Sequence, residues 1–356
     1  DPKGVVAELS SPSLDLTPFA KEEKGKEQAA EGVPAASGKP TAKAPKKEYV
    51  FGETPLPLDK LRGPDLKLHV IATEVALEPG LLKDVDGTLI LENGQLTLEW
   101  RARGAHDGSL GGTVKLLAAE DGAADLSVEV SAKSLRAGLA AGEGVDPREV
   151  PPTSVEVKLQ ARGASPRQMA AGANGTVLVT IGPGKVQSGL VGMLGGGIIG
   201  QLASKLNPFA AKDPYTRLDC TVTRVDIVDG AVRVEPVLMQ AEKVTVTADG
   251  KVDLRTEELV FDFNTRPRKG IGVSPGMFTN PFIKLDGTLV NPRLGVGAKG
   301  AASGGIAAAT AGASVVVKGL VDRIAGEADL CKSTLEEATR PPPPAGDQGK
   351  EPGKTL

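Results

Sequence analysis

The sequence predicts a mainly β protein: a curved antiparallel meander, forming an open groove or half-barrel, with a few packed helices. Two observations predict it. First, Asp-Gly or Asn-Gly recurs between apolar stretches. The pairs are Asp86-Gly87, Asn93-Gly94, Asp107-Gly108, Asp121-Gly122, Asn174-Gly175, Asp229-Gly230, Asp249-Gly250 and Asp286-Gly287. Such pairs tolerate the positive φ angles of tight hairpin turns. Second, the flanking runs alternate apolar and polar residues, as in Leu96-Thr97-Leu98-Glu99-Trp100, Val155-Glu156-Val157-Lys158-Leu159 and Val244-Thr245-Val246-Thr247-Ala248. Strict alternation marks strands of a sheet with one apolar and one wet face.

Taken along the chain, residues 1–52 read as a disordered linker. The run Lys21 to Lys47 is rich in Lys, Glu, Ala, Gly and Pro and almost free of branched apolar residues. It cannot bury enough surface to offset chain entropy. Leu14, Leu16 and Phe19 form a short patch able to dock as an isolated strand. A β-rich body follows over 53–340. Strands are expected near 65–76, 85–92, 95–103, 110–118, 124–133, 153–162, 175–182, 216–228, 231–239, 242–249, 251–255, 258–264 and 282–290. Helices are expected near 165–173, 187–206 and 301–338. The first opens Ser165-Pro166, a capping residue followed by proline at the first helical position. The second carries an apolar stripe (Leu190, Leu194, Ile198, Leu202, Leu206) and stops at Asn207-Pro208. Residues 341–356 open with four prolines and read as a disordered tail. The hairpin period is irregular, which excludes a fixed-length solenoid.

Composition excludes several functions. A formal charge of -3 argues against a basic nucleic-acid surface, so no nucleic-acid partner is expected. One Trp, two Tyr and seven Phe are too few for the aromatic girdles of an outer-membrane barrel. The two histidines, His69 and His106, sit on a polar strand face and beside a turn, outside any metal-spacing motif. Asp84-Val85-Asp86-Gly87 lacks the downstream glutamate of a calcium loop and reads as a turn. Gly195-Gly196-Gly197 lacks the Gly-Lys-Ser/Thr of a phosphate loop. No serine elbow or paired-carboxylate motif stands out. The expectation is a non-enzymatic protein with no catalytic residue, no cofactor and no metal. The chain opens Asp-Pro without Met, which suggests a fragment or processed product. No stretch reaches the roughly 18 apolar residues of a membrane span, so the chain is expected to be soluble or peripheral.

Cys220 lies on a strand and Cys331 in the terminal helical region. They read either as one bridge pinning the terminal helices to the sheet, in an oxidising compartment, or as two buried thiols.

The apolar strand faces are the main candidate for function. They comprise Leu96, Leu98 and Trp100; Leu126, Val128 and Val130; Val155, Val157 and Leu159; Val244 and Val246; Leu259, Phe261 and Phe263; and Ile283 and Leu285. Periodicity leaves two readings. The faces line the core of a closed sandwich, or they form an open groove for lipid.

A family resemblance favours the groove. Thr216-Arg217-Leu218-Asp219-Cys220 leads through Val225-Asp226-Ile227-Val228-Asp229-Gly230. A run from Val244 to Leu259 follows, containing Val252-Asp253-Leu254-Arg255-Thr256. Then comes Pro281-Phe282-Ile283-Lys284-Leu285-Asp286-Gly287-Thr288-Leu289-Val290-Asn291-Pro292. Upstream lie Leu89-Ile90-Leu91-Glu92-Asn93-Gly94-Gln95-Leu96 and a glycine cluster from Gly108 to Gly112, and Leu330-Cys331 stands near the end. Together these resemble the C-terminal region of the AsmA family, across roughly residues 56 to 338. The resemblance implies a bridge-like lipid-transfer protein of the bacterial envelope. Its partners would be phospholipid acyl chains and inner- or outer-membrane proteins. It would be periplasmic, and in the full-length protein anchored to the inner membrane by an N-terminal helix absent here. Its role would be phospholipid transport toward the outer membrane and support of outer-membrane integrity. The alternative is a periplasmic scaffold or outer-membrane assembly factor that carries no lipid.

Overall fold

A computed structural model describes residues 4–18, 49–77, 80–104, 106, 108–136, 146, 148–187, 215–242, 244–268, 282–296 and 330–340. They form one large, open, curved sheet of fifteen strands. The first half comprises β1 (Val5–Asp15), β2 (Leu66–Leu77), β3 (Gly80–Glu92), β4 (Gln95–Gly104), β5 (Ser109–Ala118), β6 (Ala124–Leu135), β7 (Thr153–Gly163) and β8 (Asn174–Ile181). The second comprises β9 (Gly184–Gln187), β10 (Tyr215–Val228), β11 (Ala231–Ala241), β12 (Val244–Asp253), β13 (Glu258–Pro267), β14 (Phe282–Thr288) and β15 (Pro292–Val296). Two helices accompany them, α1 (Pro166–Ala171) and α2 (Leu330–Thr339). From β2 onward each strand pairs antiparallel with the next, except that β8 bonds directly to β10 and β9 pairs beside it. β1 is parallel to β2. The sheet does not close, and no second sheet faces it among the described residues.

Turn chemistry explains part of the meander. Asn93 and Gly94 (φ 51° and 76°) join β3 to β4, and Asp229 and Gly230 (φ 47° and 73°) join β10 to β11. Two left-handed residues in succession match the right-handed twist of the strands they connect. Asp121-Gly122 lies in the loop between β5 and β6, where the Asp121 carboxylate accepts the Ala123 N–H at 3.1 Å. Other Asp-Gly pairs are not turns. Asp86-Gly87 lies within β3 and Asp249-Gly250 within β12, so the strands expected at 242–249 and 251–255 are one. The neighbouring strand demands the second of these glycines: a Cβ on Gly250 would stand 2.1 Å from the Phe261 ring.

Three further differences concern the ends. Residues 5–15 are strand, not linker. Val5, Ala7 and Leu9 alternate and pair with Leu66, Leu68 and Val70. β9 and β15 are short strands that propensity alone did not mark, and β15 opens on Pro292, as an edge strand tolerates. The helix expected at 187–206 and most of that at 301–338 lie outside the described residues, as do 19–48 and 341–356. Only Gln187, the last residue of β9, and α2 fall inside.

α1 forms as its sequence predicts. Ser165 accepts the Gln168 N–H on its hydroxyl and Pro166 opens the helix. α2 buries Leu330, Thr334 and Ala338, one stripe at helical spacing. Leu330 packs with Cys220 and Leu238, and the Cys220–Cys331 disulfide joins α2 to β10. At the other end of α2, Arg224 donates to the carbonyls of Ala338 (2.6 Å) and Arg340 (2.7 Å). A cation at a helix C-terminus satisfies orphan carbonyls and complements the dipole.

Residues 49–62 run as a strap along the sheet end where the β5–β6, β7–β8 and β12–β13 connections lie. Glu257 accepts the N–H groups of Val50 (2.7 Å) and Phe51 (2.8 Å). Gly52 accepts the Arg167 N–H, Leu56 donates to Ala164, and Arg62 donates to Ala119. The Arg167 guanidinium lies 3.5 Å above the Tyr49 ring.

Candidate functional site

Directly paired residues of neighbouring strands share a face of the sheet. The register can therefore be followed across the whole molecule. One row begins at Leu9 and continues through Val70, Gly87, Trp100, Gly112, Val130 and Val157. It goes on through Val177, Val225, Val234, Gly250, Phe261, Leu285 and the Leu294 position. The next row begins at Ala7 and passes Leu68, Leu89, Leu98, Val114, Val128 and Leu159. It continues through Gly175, Ile227, Val232, Val252, Leu259, Gly287 and Pro292. Each row crosses every strand of the main path without one polar side chain. At about 4.8 Å per strand each row runs about 60 Å along the sheet surface.

All the apolar residues singled out from the sequence fall on this face. Leu96 and Leu126 both lie opposite Leu116, Val155 opposite Ala132, Val246 opposite Met239, and Phe263 opposite Ala248. Ile283 joins them by backbone register with Phe263, and Val244 and Val246 share one buried cluster. Their exposure is graded. In β4, β6 and β7 these residues are half-buried, as are Phe261, Phe263 and Leu285. Val244, Val246 and Leu259 are buried, at 0, 3 and 6% exposure.

Two aromatic rings are seated on glycines. Trp100 pairs with Gly87 on one side and Gly112 on the other, and a Cβ on Gly112 would meet its ring at 2.7 Å. Phe261 lies over Gly250 and stacks against Phe263 with centroids 6.1 Å apart. A glycine opposite an aromatic lets the ring lie down on the sheet. These glycines are part of the face, and alternation alone did not reveal them. Cross-strand register is the signal that finds them.

The opposite face is polar over β2 to β7, and over β10 and β11 it carries Cys220, Val222 and Leu238 beneath α2. His69 lies on the polar part, with Nε2 2.9 Å from the Asp86 carboxylate, which also pairs with Arg101. The His69 ring and then Arg101 hold the Asp86 carboxyl below the usual carboxylate range. Ser131 donates to Glu156 at 2.8 Å, and Arg162 bridges Asp121 and Asp125. Two open hollows, of about 460 and 740 Å³, lie mainly on this polar side. Among the described residues no group of three or more His, Cys, Asp or Glu is placed to hold a metal, and no helix is long and apolar enough to cross a membrane. His106 is exposed beside the β4–β5 connection.

Among the described acids, Asp249 is raised well above its ordinary value. It lies opposite Asp262 in the β12–β13 pair, and burial, then the charges of Asp262 and Glu235, push it up to about 6. The folded protein therefore takes up this proton more readily than the unfolded chain. Its stabilising neutral form is lost as pH rises from 3.8 through about 6. Asp249→Asn is expected to be more stable than the parent at pH 7.5, with the gap closing toward pH 4. Urea midpoints at the two pH values check this, and a gap that does not change with pH would contradict it.

No family model, curated protein or solved structure matches this chain.

Proposed function

We propose that this chain is a non-enzymatic envelope protein whose apolar sheet face holds or conducts phospholipid acyl chains between inner and outer membranes. The observation that carries this reading is the pair of unbroken apolar rows across an open sheet. An acyl chain in water is stabilised by about 0.8 kcal/mol for each CH₂ it buries. A continuous apolar track supplies that burial at every strand without a specific bond, so lipid moves along it without meeting a polar barrier. Such a role needs no catalytic group or cofactor. The resemblance to AsmA proteins supports the same reading, and with it a periplasmic location and support of outer-membrane integrity. The Cys220–Cys331 disulfide fits an oxidising compartment of that kind.

A second reading, a scaffold or assembly factor without lipid, is favoured by one observation. Val244, Val246 and Leu259 are already buried, so that part of the face serves as core.

Photo-crosslinking separates the two. A photoreactive residue at Leu98, Val128 or Val157 is expected to capture lipid from phospholipid vesicles, whereas Glu99 and Lys158 on the polar face are not. Equal capture from both faces, or none by folded protein, would reject the lipid track in favour of the scaffold.

A further inference from the structure

β1 is attached to the sheet unlike any other strand. Among the described strands it forms the only parallel pair, and fifty residues separate Asp15 from Leu66, the start of its partner strand. Its side chains bury little: Val5, Val6 and Leu9 remain 53, 79 and 56% exposed. What holds it is the backbone ladder, bracketed by Val5 donating to Asp65 (2.8 Å) and Leu16 donating to Ala76 (3.0 Å).

β1 and β2 also differ as edges. β1 carries Pro12 in mid-strand, where the pairing skips a position. Proline on an outermost strand blocks further pairing. β2 has no proline in its twelve residues, and it carries Leu66, Leu68 and Val70 on the apolar face. Without β1 it would be a long, unguarded edge, the kind that recruits another strand.

We propose that β1 is an exchangeable guard strand, and that the β2 edge accepts the same strand from a second copy of this chain. A long connection gives a tethered strand an effective concentration of only millimolar order. Docking in trans therefore competes with docking in cis as the chain concentration approaches that range. The contacts are identical in both cases, because β1 touches little beyond β2. Exchange by two copies would close a symmetric pair.

The test uses the full chain and a fluorescent peptide of residues 4–16. An Ala7→Pro/Leu9→Pro chain should bind the peptide saturably and at least tenfold more tightly than the parent, because its own β1 no longer competes. Circular dichroism confirms that the sheet persists in the variant. Hydrogen exchange on the unaltered chain gives an independent reading: β1 amides should exchange at least a hundredfold faster than those of β4 to β6. Absence of peptide binding to the folded variant, equal affinity for parent and variant, or β1 protection equal to that of the central strands would overturn the proposal.

Discussion

Replacing both Cys220 and Cys331 by alanine is expected to lower stability by about 4–5 kcal/mol, the largest effect of any change considered for this chain. The bridge spans 111 residues of sequence. In the chain-entropy account a cross-link acts mainly by restricting the unfolded chain, and the restriction grows with loop length. The two cysteines also tie the N-terminal end of α2 to the sheet, beside Leu238 and Leu330. The urea midpoint of the double variant should therefore fall, and amides of α2 should exchange faster than those of β2 to β6. A midpoint shift worth less than about 1 kcal/mol would contradict the assignment of the bridge as a main support.

The second large effect is expected at Glu257. This side chain is 1% exposed, yet it belongs to a turn residue with φ of 60°. Its two carboxylate oxygens accept one backbone N–H each, from Val50 and Phe51. Alanine there removes both acceptors and is expected to cost about 3 kcal/mol. Glutamine is not an adequate substitute, because its amide nitrogen would face one of the two donors. Both variants should lower the denaturation midpoint, Glu257→Ala the more, and both should release residues 49–53 to faster hydrogen exchange. Unchanged protection of that segment would show that Arg167 and Tyr49 hold the strap without the carboxylate.

Much of this architecture is legible in the sequence, for a physical reason. Period-2 alternation in strands such as β4 and β7 fixes which side chains share a face, so the apolar residues of Leu96 to Leu285 could be named before their neighbours were known. Ser165-Pro166 likewise marks α1 locally. What alternation does not carry is register. Gly87, Gly112 and Gly250 look like turn or breaker residues until Trp100 and Phe261 are seen opposite them. Asp86-Gly87 and Asp249-Gly250 share the dipeptide of the true turn Asp229-Gly230, and only the partner strand distinguishes them. β1 was hidden for another reason. Its exposed, serine-rich sequence buries too little to stand out, and its pairing partner lies fifty residues away. Glu257 gave no signal, since a glutamate in a turn is ordinarily solvated.

Trp100 is the only tryptophan in the chain and stands within the apolar row, half-buried between two glycines. Its fluorescence therefore reports on the face itself. The protein should be incubated with phospholipid carrying brominated acyl chains, and in parallel with the unbrominated lipid. Acyl chains lying along the face predict a blue-shifted emission with the ordinary lipid and strong quenching with the brominated one. Emission that is the same with both lipids and in their absence, from protein shown to be folded, would contradict the lipid track.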